Sequence, residues 1–320
     1  MIESLKNSNV VVTGGAGFVG SHIVDRLLAM GARVTIVDNF STGFSEFANP
    51  AAQLVQGDLL DQDLLDRTFA GHDFVFHVAA NADVRHGLLH PRVDTTQNLI
   101  VTQNVLEAMR ANRIQRILFS STAAVYGDQT VFPTREDCAF PIQTSLYGAS
   151  KVASEGLLSA YALGYDFRVW IFRMVSLLGP RYSHGHVYDF WKKLRQNPDE
   201  LEVLGNGLQL KAYLHVLDLV DGMFLAIERG GTAPVNIFNA GHTDCLEVND
   251  SVRIICKELG LTPKIRYSGG DRGWVGDSPR IMVDTSRLRS LGWAPTRGLE
   301  AAIVETLRFL VENPFLDRRG

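Results

Sequence analysis

The chain has 320 residues, 46% of them hydrophobic and 21% charged, which is enough apolar material for a large core built as one α/β unit or as two domains. Its formal net charge of −4 gives no electrostatic reason to expect nucleic acid or an anionic membrane as partner, so an anionic ligand must be met by local groups. No uninterrupted apolar stretch approaches the roughly eighteen residues of a membrane span, and residues 1–6 lack a basic segment leading into an apolar run, so a cytoplasmic protein is expected.

An apolar run, Val10 to Val12, leads into Thr13-Gly14-Gly15-Ala16-Gly17-Phe18-Val19-Gly20 and then a helical segment from Ser21 to Met30. Strand, glycine turn and helix in that order form a phosphate cradle. Gly14 or Gly15 takes the dihedrals of the turn, Gly17 lets backbone N–H groups approach a pyrophosphate, and Gly20 lets the helix pack close to the strand. The pyrophosphate then lies at the positive end of the helix, beside Phe18 and Val19. A second strand, 33–37, ends in Asp38, eighteen residues after Gly20. A carboxylate there accepts hydrogen bonds from adenosine ribose hydroxyls and repels a 2′-phosphate, which favours NAD over NADP. The competing reading of Asp38 is a turn residue in Asp38-Asn39-Phe40-Ser41.

Further strand-like runs at 53–56, 73–78, 115–120, 168–174 and 235–239 alternate with helical segments. They predict an α/β fold: a doubly wound, mostly parallel sheet of the Rossmann kind, with ligands at the carboxyl ends of the strands. Gly57-Asp58-Leu59 follows the third run, and Asp58 is placed either to meet an adenine amino group or to cap the helix from Gln62. Ala79-Ala80-Asn81 follows the fourth. Beyond about residue 175, turns such as Gly205-Asn206-Gly207 and Gly269-Gly270-Asp271 punctuate shorter elements. We therefore expect an NAD-binding domain of residues 1–175, rejoined by a strand at 235–241, and a smaller C-terminal α/β substrate domain of 176–234 and 242–320. Cys138, Cys245 and Cys256 are dispersed and lack CxxC spacing, and His184-Gly185-His186 is the only close histidine pair, so neither disulfides nor a metal site are expected.

The candidate chemistry follows the fifth strand. Ser120-Ser121-Thr122 precedes Tyr147-Gly148-Ala149-Ser150-Lys151, which leads into a helical pattern from Ser150 to Leu163. Tyr147 and Lys151 are four apart and share a helix face. A tyrosine acts as a base near neutral pH only if its pKa of about 10 falls by roughly three units, about 4 kcal/mol. The Lys151 ammonium and the positive charge of oxidised nicotinamide are expected to supply that, with Thr122 bonding the same substrate oxygen. The alternative is a surface Tyr/Lys pair on an amphipathic helix.

Together with Val37-Asp38-Asn39-Phe40-Ser41-Thr42-Gly43, Gly57-Asp58-Leu59, His77-Val78-Ala79-Ala80 and Ser120 through Gly127, these motifs resemble the extended short-chain dehydrogenase/reductase family over nearly the whole chain. Within it they resemble the nucleotide-sugar 4-epimerases of the UDP-glucose type. The resemblance implies bound NAD, contacted by Gly14, Gly17, Phe18, Val19, Asp38, Asn39, Ser41, Thr42, Gly43, Asp58, Leu59, Ala79, Ala80, Asn98, Ser120, Tyr147 and Lys151, with Asn98 also bracing the catalytic region. It implies a nucleotide-diphosphate sugar as the small-molecule partner, with Thr122 and Ser176 at the sugar and Lys211 and Arg272 at the diphosphate. It also implies a homodimer formed through the helical patterns near 95–110 and 150–163; the other reading is that both stripes face the sheet.

The sequence departs from the epimerase pattern at two places. Ser176 stands where epimerases usually carry asparagine, and Arg272-Gly273-Trp274-Val275-Gly276-Asp277 is two residues longer than the common form. Sugar 4,6-dehydratases place Asp-Glu after the catalytic Thr, where this chain has Ala123 and Ala124. The glutamate common in decarboxylating relatives is missing, and Thr122 replaces the cysteine of epimerase-reductases. What remains fits reversible oxidation at C4. A 4-ketosugar reductase and a non-catalytic NAD-binding protein are the rivals. Ile281 aligns where plain-hexose epimerases carry tyrosine, so the pocket is expected to admit N-acetylated sugars unless Trp274 refills it.

Overall fold

The computed structural model describes residues 5–318 apart from Ala82, 139–141, Thr232 and Val275; Val275 of the lengthened loop and residues 1–4 of the N-terminal segment thus lie outside the described residues. The strands are Asn9–Thr13 (β1), Arg33–Asp38 (β2), Gln53–Gln56 (β3), Phe74–His77 (β4), Arg116–Thr122 (β5), Arg168–Met174 (β6), Ser176–Leu178 (β7), Glu200–Val203 (β8), Leu210–His215 (β9), Val235–Ala240 (β10), Cys245–Glu247 (β11), Lys264–Tyr267 (β12) and Arg280–Ile281 (β13). The helices are Phe18–Ala29 (α1), Gln62–Phe69 (α2), Val84–Leu89 (α3), Arg92–Asp94 (α4), Val101–Ala111 (α5), Leu146–Tyr165 (α6), His186–Gln196 (α7), Val216–Arg229 (α8), Val248–Leu259 (α9), Ser286–Arg289 (α10) and Leu299–Glu312 (α11). A π-helical segment, Thr95–Ile100, joins α4 to α5.

Seven strands form one sheet in the order β10-β6-β5-β4-β1-β2-β3, and every pairing in it is parallel. Side chains alternate across it. Val10 and Val12 face the layer of α1 and α8, built from Ile23, Val24, Leu27, Leu219 and Met223. Val11 faces the layer of α2, α5 and α6, built from Leu65, Phe69, Val105, Met109 and Leu158. Burial on both faces explains why these strands read as continuous apolar runs. The strand order reverses between β1 and β4, so the crevice that receives ligands in such sheets lies beyond Thr13 and His77.

The smaller C-terminal unit pairs β11, β9 and β13, adds β7 to β9, and pairs β12 with β8. Its core of Leu194, Leu201, Tyr213, Ile255, Ile303 and Leu307 also takes in Phe18, Phe44 and Phe47 from the glycine-loop side of the sheet. Phe18 packs edge-on to Tyr182 with ring centroids 5.5 Å apart. Burying such a ring is worth about 1.5–3 kcal/mol, so the residue beside the cradle also fastens the two units together.

Two helices begin earlier than the pattern predicts. Ser145 accepts from Gly148 N at 3.0 Å and caps α6, which puts Tyr147 in its first turn. Gly17 precedes α1 without a side-chain cap and without an acidic residue in the first turn, leaving its N-terminal N–H groups to another acceptor. Among the described residues no helix is long and apolar enough to cross a membrane, and no group of three or more His, Cys, Asp or Glu side chains is placed to hold a metal. Among the described residues Cys138, Cys245 and Cys256 form no disulfide.

Candidate active site

The glycine loop is shaped for close approach. Gly14 has φ +71° and donates to Val37 O at 2.8 Å, and a Cβ on it would lie 2.8 Å from the Ala79 backbone. A Cβ at Gly17 would lie 3.1 Å from Gly14 O, and one at Gly20 would collide with that same oxygen. These positions exclude side chains where a pyrophosphate needs backbone N–H groups at a helix N-terminus, so the residues present fit a dinucleotide. Ala79 itself donates to Thr13 Oγ1 at 3.4 Å, which ties the β4 loop to the end of β1.

Asp38 ends β2 with its carboxylate accepting from Ala16 N at 3.0 Å and Phe40 N at 2.8 Å. The acid that could meet a ribose therefore also pins the glycine loop. Asn39 donates to Asp58 Oδ2 at 2.9 Å and accepts from Ser41 N at 2.9 Å, and Asp58 accepts from Leu60 N at 2.9 Å. The cap of α2 is Asp61, not Asp58: Asp61 accepts from Leu64 N at 3.0 Å, which leaves Asp58 beside Asn39 at the sheet edge. Ser41 and Thr42 are exposed, and Gly43 is held against the Asp38 carboxylate. Leu59 is buried in the core with Leu65 and Phe69 of α2.

Beyond β5, Thr122 Oγ1 accepts from Ala124 N at 3.1 Å, and Thr122 is near enough to Tyr147 to act on its phenol. Burial pushes the Tyr147 phenol up to about 12; the neighbouring Thr122 hydroxyl pulls the other way and the Asp94 carboxylate adds to the rise. Lys151 is 1% exposed, donates from Nζ to Ser120 O at 2.9 Å, and lies 4.6 Å from the Phe119 ring centre. Burial pulls its ammonium down to about 7, against the attraction of Glu155 and Asp94. Lys151 is thus on the expected face, but among the causes acting on Tyr147 it does not figure.

Asn98 sits in the π-helical segment with its amide wholly engaged by protein. Its Oδ1 accepts from Asn81 N at 2.8 Å, and its Nδ2 donates to Ser150 Oγ at 2.9 Å and Asp94 Oδ1 at 3.3 Å. Ser150 Oγ in turn donates to Tyr147 O at 2.8 Å. These contacts are those of a brace on the start of α6.

The structure adds residues that the sequence reading passed over. Glu155 takes a two-point ion pair from Arg173, at 2.7 Å and 3.1 Å, and a bond from Ser121 Oγ. Arg173 also donates to Tyr126 OH at 3.0 Å, and Tyr126 OH donates to Asn239 Oδ1 at 2.8 Å. This buried network locks β5, α6, β6 and β10 beneath the site. Glu155 follows Lys151 by four residues and Asp94 precedes Asn98 by four, so helical spacing was the available signal.

In the smaller unit, Ser176 begins β7 and is exposed. Lys211, on β9, is buried, and its ammonium donates to Asp277 Oδ1 at 2.6 Å and to Ser278 O. Asp277 Oδ2 accepts from Gly273 N at 3.0 Å, which ties the lengthened loop to Lys211. Arg272 is the less buried cation of the pair: it donates to Asp277 O at 2.8 Å and to Asp128 Oδ2 at 2.7 Å, reaching the turn beyond Tyr126. Thr144, three residues before Tyr147, donates to Gly276 O at 3.5 Å, so the loop also meets the start of α6.

The sequence matches the NAD dependent epimerase/dehydratase family over residues 10–241, and the chain belongs to that family. A solved UDP-galactose 4-epimerase is 39% identical, the match covering 95% of this chain and 99% of that one with a TM-score of 0.87. The UDP-glucose 4-epimerase of Thermotoga maritima, solved with UDP-glucose, is 30% identical over 96% of this chain and 99% of that one, with a TM-score of 0.88. UDP-glucuronic acid decarboxylase 1 of Arabidopsis thaliana is 34% identical over 93% of this chain and 68% of that protein. Relatives of similar identity thus carry names of different reactions, and the reaction must be argued from the site.

Proposed function

We propose that this protein is an NAD-dependent 4-epimerase of nucleotide-diphosphate sugars, acting on the UDP-glucose/UDP-galactose pair and extending to their N-acetylated counterparts. The observation that carries the reading is the neighbouring Thr122–Tyr147 pair with buried Lys151 on the same helix, and Ala123 and Ala124 after Thr122, which offer no further acid or base. NAD supplies, when bound, a reversible acceptor for the C4 hydrogen, so the sugar is oxidised and re-reduced with no net redox change.

The side chains do the rest. Tyr147 holds and returns the proton of the C4 hydroxyl, and Thr122 orients that oxygen. With the phenol at about 12 in the protein alone, proton removal at neutral pH requires added positive charge worth about five pH units, roughly 7 kcal/mol. Lys151 holds Ser120 and faces the cofactor crevice. Arg272 grips the diphosphate and Lys211 holds the loop that carries Arg272, so that only the sugar moves between the two faces. The test is incubation with a panel of nucleotide sugars, without added reductant, and chromatography of the products.

The unit boundaries expected from the sequence divide this work: residues 1–175 with the strand at 235–241 for the cofactor, the remainder for the nucleotide sugar. We further propose a homodimer in the cytoplasm. The outer face of α6 carries Ala153, Gly156, Ala160, Leu163 and Gly164, all exposed, and a Cβ at Gly156 or Gly164 would meet nothing within 4 Å. Leu163 is 78% exposed, and the exposed residues of this face from Ala153 to Gly164 carry no charge, a surface suited to a second copy of the same helix. Light scattering that returned the 35.4 kDa mass of one chain at micromolar concentration would remove this assignment.

A further inference from the structure

His77 ends β4 fully buried, with both ring nitrogens engaged: Nδ1 is 2.8 Å from Thr13 Oγ1 and Nε2 is 3.0 Å from Thr102 Oγ1. The protons of this cluster can be assigned by elimination. Thr102 has one hydroxyl proton and gives it to Asn98 O at 2.5 Å, so toward His77 it only accepts, and Nε2 carries the ring proton. Nδ1 then accepts the Thr13 hydroxyl proton, which leaves Thr13 Oγ1 to accept from Ala79 N. The hydrogen bonds run without a break from Ala79 through Thr13, His77 and Thr102 to Asn98.

The two ends of this run are the parts that must be kept in register. Ala79 is the residue against which Gly14 closes, and Asn98 holds Ser150, whose hydroxyl holds the Tyr147 carbonyl. We infer that His77, as a neutral ring protonated on Nε2, is a positioning residue that fixes the Tyr147 helix relative to the dinucleotide cradle. This rests on the function proposed above for Tyr147. A neutral imidazole is suited to the task because it offers an acceptor on one edge and a donor on the other. Burial also pulls its pKa down to about 3, so the ring keeps one charge state at working pH.

The variants Thr13→Val, Thr102→Val and the double substitution cut the run on either side of the ring, and His77→Asn removes its reach toward Thr102. The ring is read first by nitrogen NMR of the whole protein at pH 7, where a neutral Nε2-protonated imidazole is expected; an Nδ1-protonated or charged ring overturns the inference. The second readout is turnover of UDP-glucose. Each single variant is expected to lower kcat about tenfold with KM nearly unchanged, the size of a small misplacement of reacting groups. The double variant is expected to fall little further, whereas two independent losses would multiply to about a hundredfold and overturn the inference. Losses confined to melting temperature do the same. If the wild type interconverts no nucleotide sugar, the proposed function fails by itself. The relay is then judged on the ring tautomer and on whether the two threonine variants weaken NAD binding non-additively.

Discussion

Lys211 Nζ lies 2.6 Å from Asp277 Oδ1, and the second oxygen of that carboxylate accepts from Gly273 N at 3.0 Å. A lysine expected at the diphosphate is therefore spent on shaping the loop that carries Arg272. Breaking a buried pair by removing one partner typically costs 3–5 kcal/mol, because the other charge is left uncompensated. Lys211→Ala and Asp277→Ala should each destabilise by about that much and raise KM for the nucleotide sugar by similar factors, and the double variant should lose less than the sum. Denaturant melts and KM values check this; a Lys211→Ala protein of native stability and KM would place the ammonium elsewhere.

Lys151 makes the site costly to fold. Burial lowers its pKa from 10.5 to about 7, so between those values the unfolded chain binds a proton that the folded one does not. Stability contributed by this position therefore rises with pH from about 7 toward 10.5, and the penalty is fully present below about pH 7. Lys151→Met should melt higher than wild type at pH 6, by an amount of order a few kcal/mol, with the advantage shrinking toward pH 10. A variant equally or less stable at pH 6 would mean that Glu155 and Asp94 compensate the ammonium in full. Activity should be lost in either case.

Tyr147 and Thr122 separate base from orienter. Tyr147→Phe should cost at least about 10³ in kcat while leaving NAD bound, since it removes only the phenolic oxygen from a helix capped by Ser145. Thr122→Val should cost less, of order 10²-fold, because it removes a hydrogen bond and not the proton carrier. Turnover and released dinucleotide, assayed together, decide the point. Near-native turnover in Tyr147→Phe would assign the base to another residue.

The sheet was readable because its strands are buried on both faces, so their centres, such as Val10–Val12 and Val169–Phe172, are apolar, and the first two strands run out into Gly14 and Asp38. The cradle and the Tyr147/Lys151 pair were readable because they depend on local spacing. What escaped depends on contacts distant in sequence. Nothing in the spacing of Lys211 and Asp277 says that they meet across 66 residues, or that Arg272 reaches Asp128 across 144. The early start of α6 escaped for a smaller reason: Ser145 caps it, and the periodic pattern begins only after the cap. Asp58 shows the limit of local reading: the cap of α2 is Asp61, three residues further on, whose carboxylate accepts from Leu64 N.

Ile281 pairs in register with Lys211 and packs half-buried against the apolar cluster under β10. An isoleucine offers no hydroxyl and less bulk than tyrosine, so N-acetylated substrates should be turned over. Ile281→Tyr should lower kcat/KM for the N-acetylated pair by at least about tenfold while sparing the plain hexoses, the discrimination that a few buried atoms provide. The ratio of kcat/KM for the two pairs, in both proteins, is the measurement. An unchanged ratio would leave the pocket gated by another group.

The central claim, that one site oxidises C4 and returns the same hydrogen to the opposite face, is tested most directly with UDP-glucose deuterated at C4. Incubated in ordinary water with the purified protein and no added reductant, it should yield UDP-galactose that keeps its deuterium at C4, reaching the same mixture from either sugar. Loss of the label to solvent, or a product lighter by water or carbon dioxide, would contradict the account.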